Sequence, residues 1–149
     1  MPVSNGSRTT GAGLWTDANQ MLSAARLLAT AKGFETSQPL FYLLGHSLEL
    51  SFKSYVRAKG GTLECLKSMG HDLELCLAWA LTTGLADIVK ISEKERAIVS
   101  LMNIPYKAKE FEYRVTGHKR RPQVPDLIAL TEKILKSTRE ICVRSARGC

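Results

Sequence analysis

The side chains of this sequence with proton-transfer or anion-binding chemistry fall into two groups. The first is His46-x-x-Glu49-x-x-x-Lys53, followed by the tetrad Gly70-His71-Asp72-Leu73. Spacings of three and four place His46, Glu49 and Lys53 on one side of a helix. Such a row is either solvated or paired, because burying any of these charges alone is costly. In the simpler arrangement Glu49 and Lys53 form an exposed ion pair and His46 is an incidental neighbour. The favoured arrangement has the row partly enclosed, since Leu43 and Leu50 flank it, and facing the His71-Asp72 turn. A third use, with His46 and Glu49 as acid and base on a small molecule, requires a pocket.

The second group is Arg114-Val115-Thr116-Gly117-His118, continued by Lys119, Arg120 and Arg121. An imidazole transfers protons near neutral pH and a guanidinium holds a phosphate, so Arg114 and His118 are the candidate catalytic pair. Lys107, Lys119, Arg120 and Arg121 are the candidate phosphate contacts, with Tyr113, Tyr106 or Phe111 available for base stacking. The alternative is structural: Arg114 pairs with Glu110 or Glu112, and His118 is an exposed loop residue. Cys65, His71 and Cys76 lack a fourth ligand at metal-site spacing, so neither a metal nor a cofactor is expected.

These residues require helices to position them. A first helix is expected from Thr16 or Asp17 to about Lys32, ended by Gly33, with Met21, Leu22, Ala25, Leu28 and Ala29 on its buried face. The second runs from Pro39 to Lys59 with Leu40, Phe41, Leu44, Leu48, Phe52, Tyr55 and Val56 on one apolar face. A short turn around Leu63 to Lys67 precedes a helix capped by Asp72 and ending near Gly84. Ser92-Glu93-Lys94-Glu95 reads as a capping box for a helix terminated by Asn103 and Pro105. From Lys109 to Gly117, apolar Phe111, Tyr113 and Val115 alternate with polar residues, which predicts a short extended segment. Asp126 then caps a last helix. The fold class is therefore all-α, an up-and-down bundle of four to five helices with a short extended segment before the last.

Composition agrees with one domain. The 149 residues are 44% hydrophobic and 23% charged, enough for a single core without staples. Residues 1–13 read as a flexible tail and 14–146 as the domain. No apolar run reaches membrane-spanning length, there is no signal-peptide pattern, and the four cysteines include no CxxC pair, so a reducing cytoplasmic location is expected. The net charge of +7 is concentrated late: Ile104 to Cys149 carries 11 Lys and Arg against 5 Asp and Glu. That asymmetry suits an anionic partner such as RNA, a nucleotide phosphate or an acidic protein, and also serves solubility.

The His46-x-x-Glu49-x-x-x-Lys53 row within Leu43-Leu44-Gly45-His46-Ser47-Leu48-Glu49-Leu50, followed by the Gly70-His71-Asp72-Leu73 turn, resembles the HEPN superfamily over Leu14 to Ala146. That resemblance implies a helical bundle that commonly dimerises, found mainly in prokaryotic defence and toxin systems. Many members are metal-independent ribonucleases with an arginine and a histidine separated by four to six intervening residues near the start of the final helix. Others bind nucleotides or are noncatalytic modules. Here Arg114 and His118 lie close to the expected place but depart from that motif, with only three intervening residues. The resemblance thus implies a homodimer binding RNA or nucleotide, and a possible ribonuclease. The alternative is a noncatalytic dimerisation or protein-interaction module.

Overall fold

A computed structural model describes residues 8–114, 116–117 and 120–146. Among them the chain forms α1 (Gly11–Thr30), α2 (Gln38–Ala58), α3 (Leu63–Met69), α4 (Leu73–Thr83), a 3-10 turn (Leu85–Asp87), α5 (Glu93–Lys107) and α6 (Val124–Ala146), with no strand. The all-α class holds.

Local chemistry sets most boundaries. The side chains of Ser37, Thr62, Asp72 and Ser92 each accept a hydrogen bond from a first-turn backbone N–H, and the Ser92–Glu95 capping box has both of its bonds. Helix α1 starts earlier than expected, at Gly11, with Thr10 as its cap. The segment assigned to a tail is accordingly held from Thr9, whose carbonyl accepts a hydrogen bond from Arg57 Nε at 2.7 Å. The reason is close packing. A Cβ on Gly11 would lie 2.8 Å from the Ala58 Cβ, so only glycine lets α1 lie this near α2.

Three further expectations are corrected. Helix α5 does not stop at Asn103 or Pro105 but runs on to Lys107, with Pro105 inside it. Proline removes one backbone hydrogen bond, and here that loss falls in the last turn, where Tyr106 is anchored across the core. Residues 109–113 are not extended. Glu112 N and Tyr113 N both donate to the Lys109 carbonyl, giving a turn. Phe111 is buried against Phe41, with ring centroids 5.6 Å apart, while Tyr113 is 70% exposed. Asp126 lies in the first turn of α6 instead of capping it.

Helix α2 is the axis of the fold and packs against α1, α3, α4, α5 and α6. Leu40, Leu44, Leu48, Phe52 and Tyr55 follow its inner face and belong to one core cluster with Leu22 and Ala25 of α1, Leu73 and Ala80 of α4, and Leu127 and Ile134 of α6. Polar ties add register: Ser47 Oγ donates to the Ala18 carbonyl at 2.7 Å, and Trp15 Nε1 donates to the Leu135 carbonyl at 2.9 Å. No helix among the described residues is long and apolar enough to cross a membrane.

Candidate functional site

The centre of the site is the Glu49 carboxylate, 2% exposed on α2. Its Oε1 accepts hydrogen bonds from His71 Nδ1 at 2.8 Å and from the Tyr106 hydroxyl at 2.7 Å. Its Oε2 accepts from Lys53 Nζ at 2.9 Å. Lys53 also donates to the Gly70 carbonyl at 2.7 Å, which fastens the Gly70-His71-Asp72 turn to α2. His46 Nδ1 lies 3.2 Å from the Tyr106 hydroxyl. Since that hydroxyl gives its proton to Glu49, Nδ1 is the donor of this pair, and a neutral His46 carries its lone pair on Nε2.

The row read from the sequence is thus an enclosed network and not a surface ion pair. Burial pushes the Glu49 carboxyl up, but the hydrogen bonds from Lys53, His71 and Tyr106 and the Lys53 charge outweigh it, so the group stays below the usual glutamate range. Burial pushes His46 down, with the Glu49 charge opposing, so this imidazole is neutral at pH 7. Burial and the adjacent Glu49 charge push the Tyr106 hydroxyl up, so it remains a donor.

Asp72 joins the site through the turn. Its Oδ1 accepts from Leu75 N and from Asn103 Nδ2, and its Oδ2 from Lys107 Nζ at 3.0 Å. Asn103 Oδ1 in turn accepts from Leu73 N at 2.7 Å. Lys107, expected among the phosphate contacts, is therefore paired with Asp72. Tyr106 is not available for stacking on a base either, being buried in the network, and Phe111 is buried as well. From the sequence Tyr106 was expected only as a stacking ring and Asn103 only as a helix terminator, because α5 was expected to end at Asn103 and Pro105.

A cavity of ≈ 20 Å³, the size of one small polar group, opens beside this network between Tyr42, His46, His71, Tyr106, Lys109 and Phe111. Tyr42 is 36% exposed, and its ring lies parallel to His46 at 5.9 Å.

The basic segment forms a second, adjoining feature. Arg114 and Arg120 are exposed. The Arg121 guanidinium sits 4.8 Å from the Phe111 ring centroid and 5.1 Å from that of Phe41, and its Nε is buried with no hydrogen-bond partner among the described residues. Arg114 and Arg121 line an open cleft of ≈ 370 Å³ with Thr116 and with Ser37 and Gln38 at the start of α2. Among the described residues no ion pair joins Arg114 to Glu112. His118 and Lys119 lie outside the described residues.

Burial pushes the Cys76 thiol up to about 12, so it is not a thiolate ligand at neutral pH. Among the described residues no three His, Cys, Asp or Glu side chains are grouped to hold a metal ion. Fold and site together define an all-α domain whose long second helix carries a buried carboxylate braced by a histidine, a tyrosine and a lysine, with a second histidine on the tyrosine, beside a basic cleft. No family model, curated protein or solved structure matches the chain.

Proposed function

We propose that this chain is an HEPN-like domain that binds single-stranded RNA by its phosphates. The observation that carries the reading is the cleft between Arg114, Arg121 and the first turn of α2. Two guanidiniums on one polar cleft supply paired donors of the geometry phosphate accepts, and the N-terminal end of a 21-residue helix, capped by Ser37, adds a favourable dipole. Tyr42 on α2 and Tyr113, the neighbour of Arg114 in the chain, present exposed rings for base stacking. A cytoplasmic homodimer fits this reading.

Fluorescence anisotropy with a short labelled single-stranded RNA, titrated with potassium chloride, tests it. Affinity is expected to fall steeply with salt, and Arg114→Glu to weaken binding roughly tenfold and lower the logarithmic salt slope by about one. Competition by a nucleoside monophosphate distinguishes a nucleotide site from an RNA site. A flat salt response, or unchanged affinity in Arg114→Glu, overturns the assignment.

One observation favours a second reading as a dimerisation or protein-interaction module. Leu75 and Trp79, one helical turn apart on α4, are 39% and 40% exposed. Sedimentation equilibrium is then expected to show a dimer that Trp79→Glu converts to monomer; a wild-type monomer at all concentrations removes this reading.

A further inference from the structure

We propose that His46 and His71 are the acid–base pair of an RNA-cleaving centre, held in register by the one carboxylate of Glu49. This rests on the RNA-binding reading but assigns the chemistry to residues other than Arg114 and His118. Three observations carry it. Both imidazoles turn Nδ1 inward, His71 directly to Glu49 Oε1 at 2.8 Å and His46 at 3.2 Å to the Tyr106 hydroxyl that itself donates to the same oxygen. Neither Nε2 has a hydrogen-bond partner among the described residues, and both rings line the same ≈ 20 Å³ cavity, a volume suited to a single phosphoryl oxygen or hydroxyl. Finally, the cavity and the arginine cleft lie along one helix. Gln38 and His46 are eight residues apart on α2, about 12 Å at the helical rise, with Tyr42 midway. A strand of two nucleotide steps bridges that distance, with a phosphate in the cleft, a base on Tyr42 and the second phosphate along at the histidines.

The geometry defines the step. His46 Nε2 accepts the proton of a ribose 2′-hydroxyl, and the 2′-oxygen attacks the adjacent phosphorus. The bond from phosphorus to the 5′-oxygen breaks, and that oxygen takes a proton from Nε2 of protonated His71. The products are a 2′,3′-cyclic phosphate and a 5′-hydroxyl end. One proton is accepted and one delivered, so no further reactant is needed. Burial keeps His46 neutral, as a base requires. Its titration is set first by burial and then by the charges of Glu49, His71, Lys53 and Asp17, while Tyr106, Lys109 and Glu112 also line the cavity that it faces.

The full chain is incubated in EDTA with a labelled single-stranded RNA and with the all-deoxy oligonucleotide of the same sequence. RNA is expected to be cut to cyclic-phosphate ends with a bell-shaped pH–rate profile, and the DNA left intact. His46→Gln and His71→Ala are each expected to slow cleavage by about 100-fold or more, and each to remove one limb of the profile, with RNA still bound through the arginine cleft. The exposed position of His71 makes its variant informative even where His46→Gln disturbs folding. RNA bound yet uncut overturns the proposal alone. Cutting that survives both substitutions overturns it as well, and its loss in Arg114→Ala and His118→Ala would return the chemistry to that pair. RNA neither bound nor cut overturns the binding reading together with this one.

Discussion

Glu49→Ala is expected to lower the free energy of unfolding by about 3–5 kcal/mol, read from urea denaturation. The substitution does more than delete an ion pair. Lys53, 8% exposed, is left as a buried cation with only the Gly70 carbonyl as partner, and the Tyr106 hydroxyl loses its acceptor in the core. Most of the loss is therefore the cost of the stranded groups, and it follows that removing both charges hurts less than removing one. Glu49→Leu combined with Lys53→Met should recover more than half of the deficit; a double variant no better than Glu49→Ala would disprove the account. The acid limb gives a second reading of the same interaction. The folded-state pKa of Glu49 lies below its ordinary 4.5, so its stabilisation is present above pH 4.5 and is lost as pH falls through the folded value. In Glu49→Gln that part of the loss below pH 4.5 is absent, and stability changes less steeply there.

Gly45→Ala is the second variant with a large expected effect, a net loss of about 1–3 kcal/mol. In an exposed helix this exchange gains up to about 1 kcal/mol, since glycine costs more backbone entropy than alanine. Here the added Cβ would lie 2.4 Å from the Tyr106 ring at Cδ1. That ring is 6% exposed and tethered through its hydroxyl to Glu49, so it cannot step aside without breaking the network. The clash outweighs the gain. Thermal unfolding of Gly45→Ala, Tyr106→Leu and the double variant checks this: the losses should be clearly less than additive, and a stabilised Gly45→Ala would refute it.

The two variants mark where sequence is informative about this protein. The helix starts at Ser37, Thr62, Asp72 and Ser92 depend on side chains that bond their own next turn, and so are written locally. The meeting of His46, Glu49 and Lys53 with the His71 turn was legible because one helix face demanded a partner for its charges. Tyr106 was not, because it reaches Glu49 across 57 residues of chain and sits just beyond a proline that ordinarily ends a helix. The alternation at Phe111 and Tyr113 misled for a related reason. Over so few residues it does not separate a strand from a turn, and what decides is the docking of Phe111 onto Phe41, a contact with no local signature.

The chain carries two tryptophans, and the fold gives them opposite surroundings. Trp15 is fastened through its indole N–H to the carbonyl of Leu135, so its emission reports the seam between the first and last helices. Trp79 faces outward on α4. Acrylamide thus separates the two signals, quenching Trp79 more strongly in the native protein and reaching half-buried Trp15 fully only when α6 leaves α1. A Trp79→Phe background makes Trp15 a single-site optical probe of global unfolding, with no label attached.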